Sequence, residues 1–282
     1  MIEALQFEFM RNALAAGLLA SLICGIIGSL VVVNRLVFLS GGIAHAAYGG
    51  IGLAFFFGWP YLSGTLAFSL AAALIMAVIS LRARHRADTV IGVLWAVGMA
   101  TGIVLIDLTP GYNVDLMSYL FGSILTVPGK DLWLMGFLTL GILAVTVYFY
   151  QDFLVMSYDE EFARVRGVAV APLYFLLVAM LAVAVVLIIQ VVGLILVIAL
   201  LTIPTFIAEK YAGSLAKMMI LASLLNMAFT LCGLWLAYRY NLTSGAAIIL
   251  VAGVGFFLTV ALDQLGIRRG SRRRSADGPN ME

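Results

Sequence analysis

Charge is what this chain has least of: charged residues fill 11% of its 282 positions, and 64% are hydrophobic. An ordinary soluble domain carries about 25% charge. A surface able to hold this chain in water cannot be assembled from so few polar groups, so its solvent is lipid. Histidine and cysteine are as scarce, at two each. Cys24 and Cys232 both stand inside apolar runs, where a thiol acts as a small hydrophobe, which argues against a disulfide framework or a cysteine metal cluster. The phosphate-cradling run Gly-x-x-x-x-Gly-Lys-Ser/Thr is missing; the one Gly-Lys pair, Gly129-Lys130, is followed by Asp131. No acidic residue stands in the middle of an apolar run, and the histidines His45 and His85 without an intramembrane carboxylate do not make a metalloprotease site. The opening residues hold Glu3 and Glu8 and no basic stretch, and no small-residue cleavage site follows, which predicts no removable signal segment.

What is present is a succession of apolar runs long enough to span a bilayer, whose core of about 30 Å needs about 20 residues of helix. Nine candidates emerge, at 12–34, 36–59, 60–81, 89–106, 132–150, 171–189, 190–208, 218–238 and 242–262. The uncharged stretch 171–208 suits two helices, so a tight turn near Gln190 to Gly193 is expected to divide it. The fold class is therefore an all-α polytopic membrane bundle of eight or nine spans. A single transmembrane domain covers 1–267, and 268–282 reads as a basic disordered cytoplasmic tail. With nine spans, one face collects Arg35, Arg82, Arg84, Arg86, Arg164, Arg166, Lys210, Lys217 and the arginines between 268 and 274, and the other only Arg11, Lys130 and Arg239. Loops rich in Lys and Arg stay in the cytoplasm, which places the C-terminus inside and the N-terminus outside.

On the same cytoplasmic side, the segment at about 157–168 has its own helix start and stop. Ser157 followed by Glu160 is a capping-box pattern, and Asp159, Glu160 and Glu161 suit the positive end of a helix. Arg164 and Arg166 suit the other end, Gly167 is a natural stop, and Phe162 and Val165 share a face. Amphipathicity alone fits a helix that merely covers the bundle as well as one that meets a partner.

The pattern Glu161-x-Ala163-x-x-x-Gly167 resembles the coupling motif through which importer permeases dock onto ATP-binding-cassette subunits. Asp88-Thr89-Val90-Ile91-Gly92, Tyr119-Leu120-Phe121-Gly122, Gln190-Val191-Val192-Gly193 followed by Leu201-Thr202-Ile203-Pro204, and Ser244-Gly245-Ala246-Ala247-Ile248 resemble, in order, segments of the metal-ion permeases of zinc and manganese ABC importers. The resemblance runs from about Gly28 to Leu262. It implies a permease of the bacterial inner membrane that has no nucleotide site and no permanent cofactor, and that moves a divalent metal ion, zinc foremost and manganese or iron next. It also implies two permease copies, two ATPase copies and an extracytoplasmic metal-binding protein. Residues Asp159, Glu160, Glu161, Ala163 and Gly167 would couple the permease to the ATPase.

The ionisable residue most open to a role in the path is His45, on a helix whose Gly41, His45 and Gly49 share a face. Gly42, Ala46 and Gly50 form the neighbouring stripe and are expected to pack closely on another helix. Glycines above and below His45 would leave its imidazole reachable by a metal; a hydrogen bond across a helix interface is the competing role. The position matches the histidine of the family's Gly-Asp-x-x-x-His stretch, but Gly41 stands where the family commonly has aspartate. Asp107 and Asp115 form either an acidic entrance or solvated loop carboxylates. Asp88 is expected to cap the helix that begins at Thr89, Gln190 to line an outer gate at a helix break, and Pro204 to kink its helix. Two other transport readings stay open: a permease for iron chelates or corrinoids, which needs a wider path, and a secondary carrier driven by an ion gradient.

Overall fold

A computed structural model describes residues 6–82, 86–110, 122, 124 and 127–276. Its elements, in chain order, are α1 (Glu8–Val33), α2 (Val37–Phe57), α3 (Tyr61–Arg82), α4 (Ala87–Asp107), α5 (Gly129–Tyr148), α6 (Tyr150–Tyr158), α7 (Glu160–Val165), α8 (Val170–Val192), α9 (Leu194–Tyr211), α10 (Leu215–Tyr240) and α11 (Ser244–Ala276). Among the described residues nine helices, all but α6 and α7, are long and apolar enough to cross a membrane, with that of α11 taken over Ser244–Gln264. The chain is thus a multi-pass membrane protein, and the expected division of 171–208 is real. It falls at Gly193, the one residue between α8 and α9, whose φ of 84° and ψ of 166° an L side chain rarely adopts.

Burial sorts the spans. Over their most apolar windows α1 is 72% buried and α2 78%, whereas α4, α5 and α11 are each 22% buried and turn most of their surface outward. The most buried span, α2, is also rich in glycine and alanine, which lets it pack on α4 and α3 with the backbones nearly touching. A methyl on Gly102 would fall on the carbonyl of Tyr48, and one on Gly98 would sit 3.0 Å from the Ala46 Cα. On the other side of the bundle α1 packs on α10 and α9 in the same manner: a methyl at Gly25 would collide with the backbone of Ser223, and one at Gly28 would lie 2.5 Å from the Leu201 carbonyl oxygen.

Residues 150–158 form a helix, α6, which follows α5 after a break at Phe149. One local expectation is corrected. Asp88 is not a cap: α4 begins at Ala87 after Arg86, so Asp88 lies in the first turn, exposed, where its charge suits the helix N-terminus without a capping bond. The backbone of α11 continues as helix through the arginine-rich stretch to Ala276, and the tail residues 277–282 lie outside the described residues.

Candidate translocation path and coupling surface

The coupling segment is built differently from the capping box read in the sequence. Ser157 lies inside the last turn of α6 and accepts a hydrogen bond from Asn34 Nδ2 at 2.8 Å, which ties the end of α1 to the end of α6. The cap is Asp159, whose Oδ1 accepts from the Phe162 N–H at 2.8 Å. Helix α7 is therefore shorter than the predicted 157–168. It ends in a reciprocal pair of bonds, Val168 N–H to the Ala163 carbonyl at 2.9 Å and Gly167 N–H to the Arg164 carbonyl at 3.0 Å, with Gly167 at φ 86°. Both helix ends are thus closed within the segment itself, the stop by the left-handed glycine turn. Arg164 donates to Glu160 one turn away at 2.6 Å. Ala163 is fully buried, whereas Phe162 is 55% and Val165 87% exposed and Glu161 is exposed. The shared apolar face expected of Phe162 and Val165 thus points away from the bundle, and the small Ala163 lets the helix sit close on it.

This end of the bundle also holds the α1–α2 turn and the beginnings of α4 and α8. Together they enclose a cavity of about 600 Å³ lined by Asn34, Arg35, Ser80, Asp88, Glu160 and Tyr174, among others. Arg35 closes α1 in the left-handed region, at φ 58°, with the same paired bonds that Gly167 makes. Tyr174 Oη donates to Ser80 Oγ at 3.1 Å and joins α8 to α3.

His45 stands about 12 Å along α2 from this end, at 1.5 Å per residue. Its imidazole is half-buried and stacks on the indole of Trp95 of α4, with ring centroids 3.9 Å apart and planes 15° from parallel. Its Nδ1 is buried and has no hydrogen-bond partner among the described residues. The glycines of its face differ in use. Gly41 opens onto space, where a methyl would meet only Trp95 Cζ3 at 3.8 Å, but Gly49 is covered by Phe68 of α3 and the carbonyl of Gly98 of α4. Gly49 therefore serves helix packing and does not keep the imidazole reachable. The stripe Gly42, Ala46 and Gly50 faces Ile91 and Met76, Gly98, and Thr65 respectively, so it lies in the seam of α2 with α3 and α4.

The remaining candidates are not gathered at His45. Asp107 is exposed at the far end of α4, about 18 Å along the axis from Trp95. Asp115 and His85 lie outside the described residues, as do Tyr119, Leu120 and Phe121. Gln190 is half-buried in the last turn of α8, beside the Gly193 break. Gly122, at φ 62°, lies backbone to backbone against that break, where a methyl would stand 2.6 Å from the Val192 carbonyl oxygen. Among the described residues no three His, Cys, Asp or Glu side chains come together.

Sequence reading missed one polar junction. Pro204 lies within α9 and has no N–H to give the Leu200 carbonyl. Asn226 of α10, fully buried, supplies the donor instead, Nδ2 to Leu200 O at 3.1 Å. The signal was available: a proline four residues after Leu200 frees that carbonyl, and Asn226 is an amide set midway along an apolar span. The stack of Trp95 on His45 left no such signal.

Residues 6–263 match the ABC 3 transport family. The membrane protein slr2045 of Synechocystis sp. is 52% identical over 261 residues, 93% of each chain. The manganese transport system membrane protein MntC of Listeria monocytogenes is 32% identical across 90% of both chains. Among solved structures, PsaBC from Streptococcus pneumoniae, determined in complex with Fab, shares the architecture at a TM-score of 0.83 and 31% identity, covering 92% of this chain and 93% of that one. Nine spans, a capped helix between the fifth and sixth, and a match that extends over nearly the whole sequence lead to one assignment: the chain is a membrane permease subunit and belongs to the ABC 3 transport family.

Proposed function

We propose that this permease carries a divalent metal ion into the cytoplasm, powered by ATP hydrolysed on a partner subunit that docks on α7. The observation that carries the reading is α7 itself: a six-residue helix closed at both ends within its own segment, seated through Ala163, with Phe162 and Val165 turned out. Exposed apolar side chains on a short helix held in place have a function if another protein covers them. The lysine and arginine bias puts this end in the cytoplasm, where an ATPase is found, and leaves the N-terminus outside. By family resemblance two copies of the permease, two ATPase subunits and an extracytoplasmic metal-binding protein make up the working importer. Glu161 is exposed beside Phe162 and is the charged contact of that docking surface.

His45 is the group on the path that binds the ion in passage. Its ring is half-buried, and its Nδ1 has no hydrogen-bond partner among the described residues. Two considerations bear on the metal. An imidazole without a neighbouring carboxylate suits zinc better than manganese, whereas the name of the Listeria relative speaks for manganese. The assignment is to divalent first-row cations as a class, with zinc favoured by the donor and manganese by likeness. Asp107 and Gln190, at the opposite end of the bundle from α7, would stand at the outer entrance.

The docking claim is tested by coexpressing the permease with the ATP-binding-cassette subunit proposed to dock on α7 and measuring copurification. Replacing Ala163 by Arg, which cannot occupy a fully buried seat, is expected to remove the ATPase while the permease itself stays monodisperse. Retention of the ATPase by this variant and by Phe162→Asp would refute docking through α7.

A further inference from the structure

The geometry points to Trp95 as the residue that positions the His45 imidazole for the ion and biases the site towards nitrogen-preferring cations. This rests on the reading of His45 as the ligand. A side chain in a membrane interior is normally fixed by hydrogen bonds, because a polar atom left alone there is costly. The buried Nδ1 of His45 makes none among the described residues. What holds the ring is the indole, 3.9 Å away and within 15° of parallel.

A parallel stack fixes the plane of the imidazole, and a metal approaches an imidazole nitrogen in that plane. Trp95 therefore sets the direction from which the ion can bind. The indole cannot easily slide away: Gly98, one turn further along α4, is packed on Ala46, and Phe38 leans on the indole with centroids 6.1 Å apart. The electron-rich face of the indole also favours an imidazole that shares a cation's charge over a neutral one.

The surroundings add selectivity. Position 41, one turn before His45, has no side chain, although a first carbon there would meet only Trp95 Cζ3 at 3.8 Å. The position beside the π face thus carries no oxygen ligand. The ion thus meets nitrogen and aromatic carbon, a setting that suits zinc and gives manganese little of the oxygen it prefers.

The test is equilibrium binding of Zn²⁺ and of Mn²⁺ to the detergent-solubilised permease–ATPase assembly, by competition with a chelating dye, for Trp95→Leu, Trp95→Phe and His45→Ala. Loss of the stack in Trp95→Leu is expected to weaken zinc binding about three- to tenfold, with a smaller change for manganese, and Trp95→Phe to recover most of it. Should Trp95→Leu not assemble, Trp95→Met, longer, more adaptable and also unstacked, is read in the same way. Unchanged zinc affinity without the stack, while His45→Ala removes binding, overturns the role of Trp95 and leaves His45 as ligand. Equal weakening of both metals overturns the selectivity. Unchanged binding of both metals in His45→Ala removes the ligand reading and this inference with it.

Discussion

Two seams of this bundle are built from the same small residues and end differently. Where α1 meets α9 and α10, glycines bring backbones together and an amide bridges two helices: Asn226 Nδ2 donates to the Leu200 carbonyl that Pro204 leaves free, while the buried Asn226 Oδ1 and Thr205 Oγ1 have no partner among the described residues. Where α2 meets α3 and α4, glycines bring backbones equally close, yet the seam keeps a half-exposed imidazole held by a ring stack and unanswered at one nitrogen. The first arrangement fixes helices relative to each other. The second keeps a side chain half-exposed beside a tight seam, and the contrast shows that close packing does not by itself distinguish a bonded junction from a reachable group.

The largest way to break the contrast is to wedge the second seam. Gly102→Val would drive a side chain into the Tyr48 carbonyl, backbone that cannot give way, and is expected to cost about 3 kcal/mol or more. Size-exclusion profiles and thermal unfolding in detergent check it; an unshifted unfolding midpoint would mean the seam is looser than described. In the first seam Asn226→Leu is expected to cost about 1–2 kcal/mol by leaving the Leu200 carbonyl alone. Adding Pro204→Ala, which restores a helical N–H to that carbonyl, should recover most of the loss. A double variant no better than the single one would detach Asn226 from the proline.

Smaller effects separate coupling from folding. Asp159→Ala removes the cap of α7, worth about 1 kcal/mol locally; because α7 is a six-residue helix at the surface, the bundle should unfold where it did before while ATPase activity becomes less responsive to metal. A shifted midpoint with unaltered coupling would reverse that assignment. Gly41→Asp is read in transport: a first carbon at position 41 meets only Trp95 Cζ3, at 3.8 Å. Its effect should appear in metal preference, moved towards manganese, as read by uptake of each metal in turn; identical uptake of every metal would deny this helix face a role.

The membrane architecture was legible because lipid enforces a simple pattern: apolar runs of about 20 residues, interrupted by charge or glycine, can only be spanning helices. The break in the long run 171–208 was placed within a few residues for the same reason, since Gly193 is where the backbone can turn. Local end chemistry was harder. Ser157 and Asp159 both suit a cap, and only the course of α6 and the bond from Asn34 decide that Asp159 takes it. Asp88 likewise lost its cap role to a helix that starts earlier than the apolar run does. Partners far apart in the sequence left the least trace. That Trp95 would lie flat on His45, that Gly122 would meet Gly193, or that Asn226 would answer Pro204 depends on which helices adjoin, which periodicity does not state.

The account is tested most directly by metal-stimulated ATP hydrolysis and uptake in liposomes that hold the permease with its ATPase and are supplied with the binding protein, with zinc, manganese and iron offered separately. Uptake that requires ATP, and that disappears together with the stimulation when Glu161 and Gly167 are both replaced by residues that leave the bundle folded, is the predicted result. Flux that follows an ion gradient without ATP and ignores those replacements would contradict it and make the chain a secondary carrier.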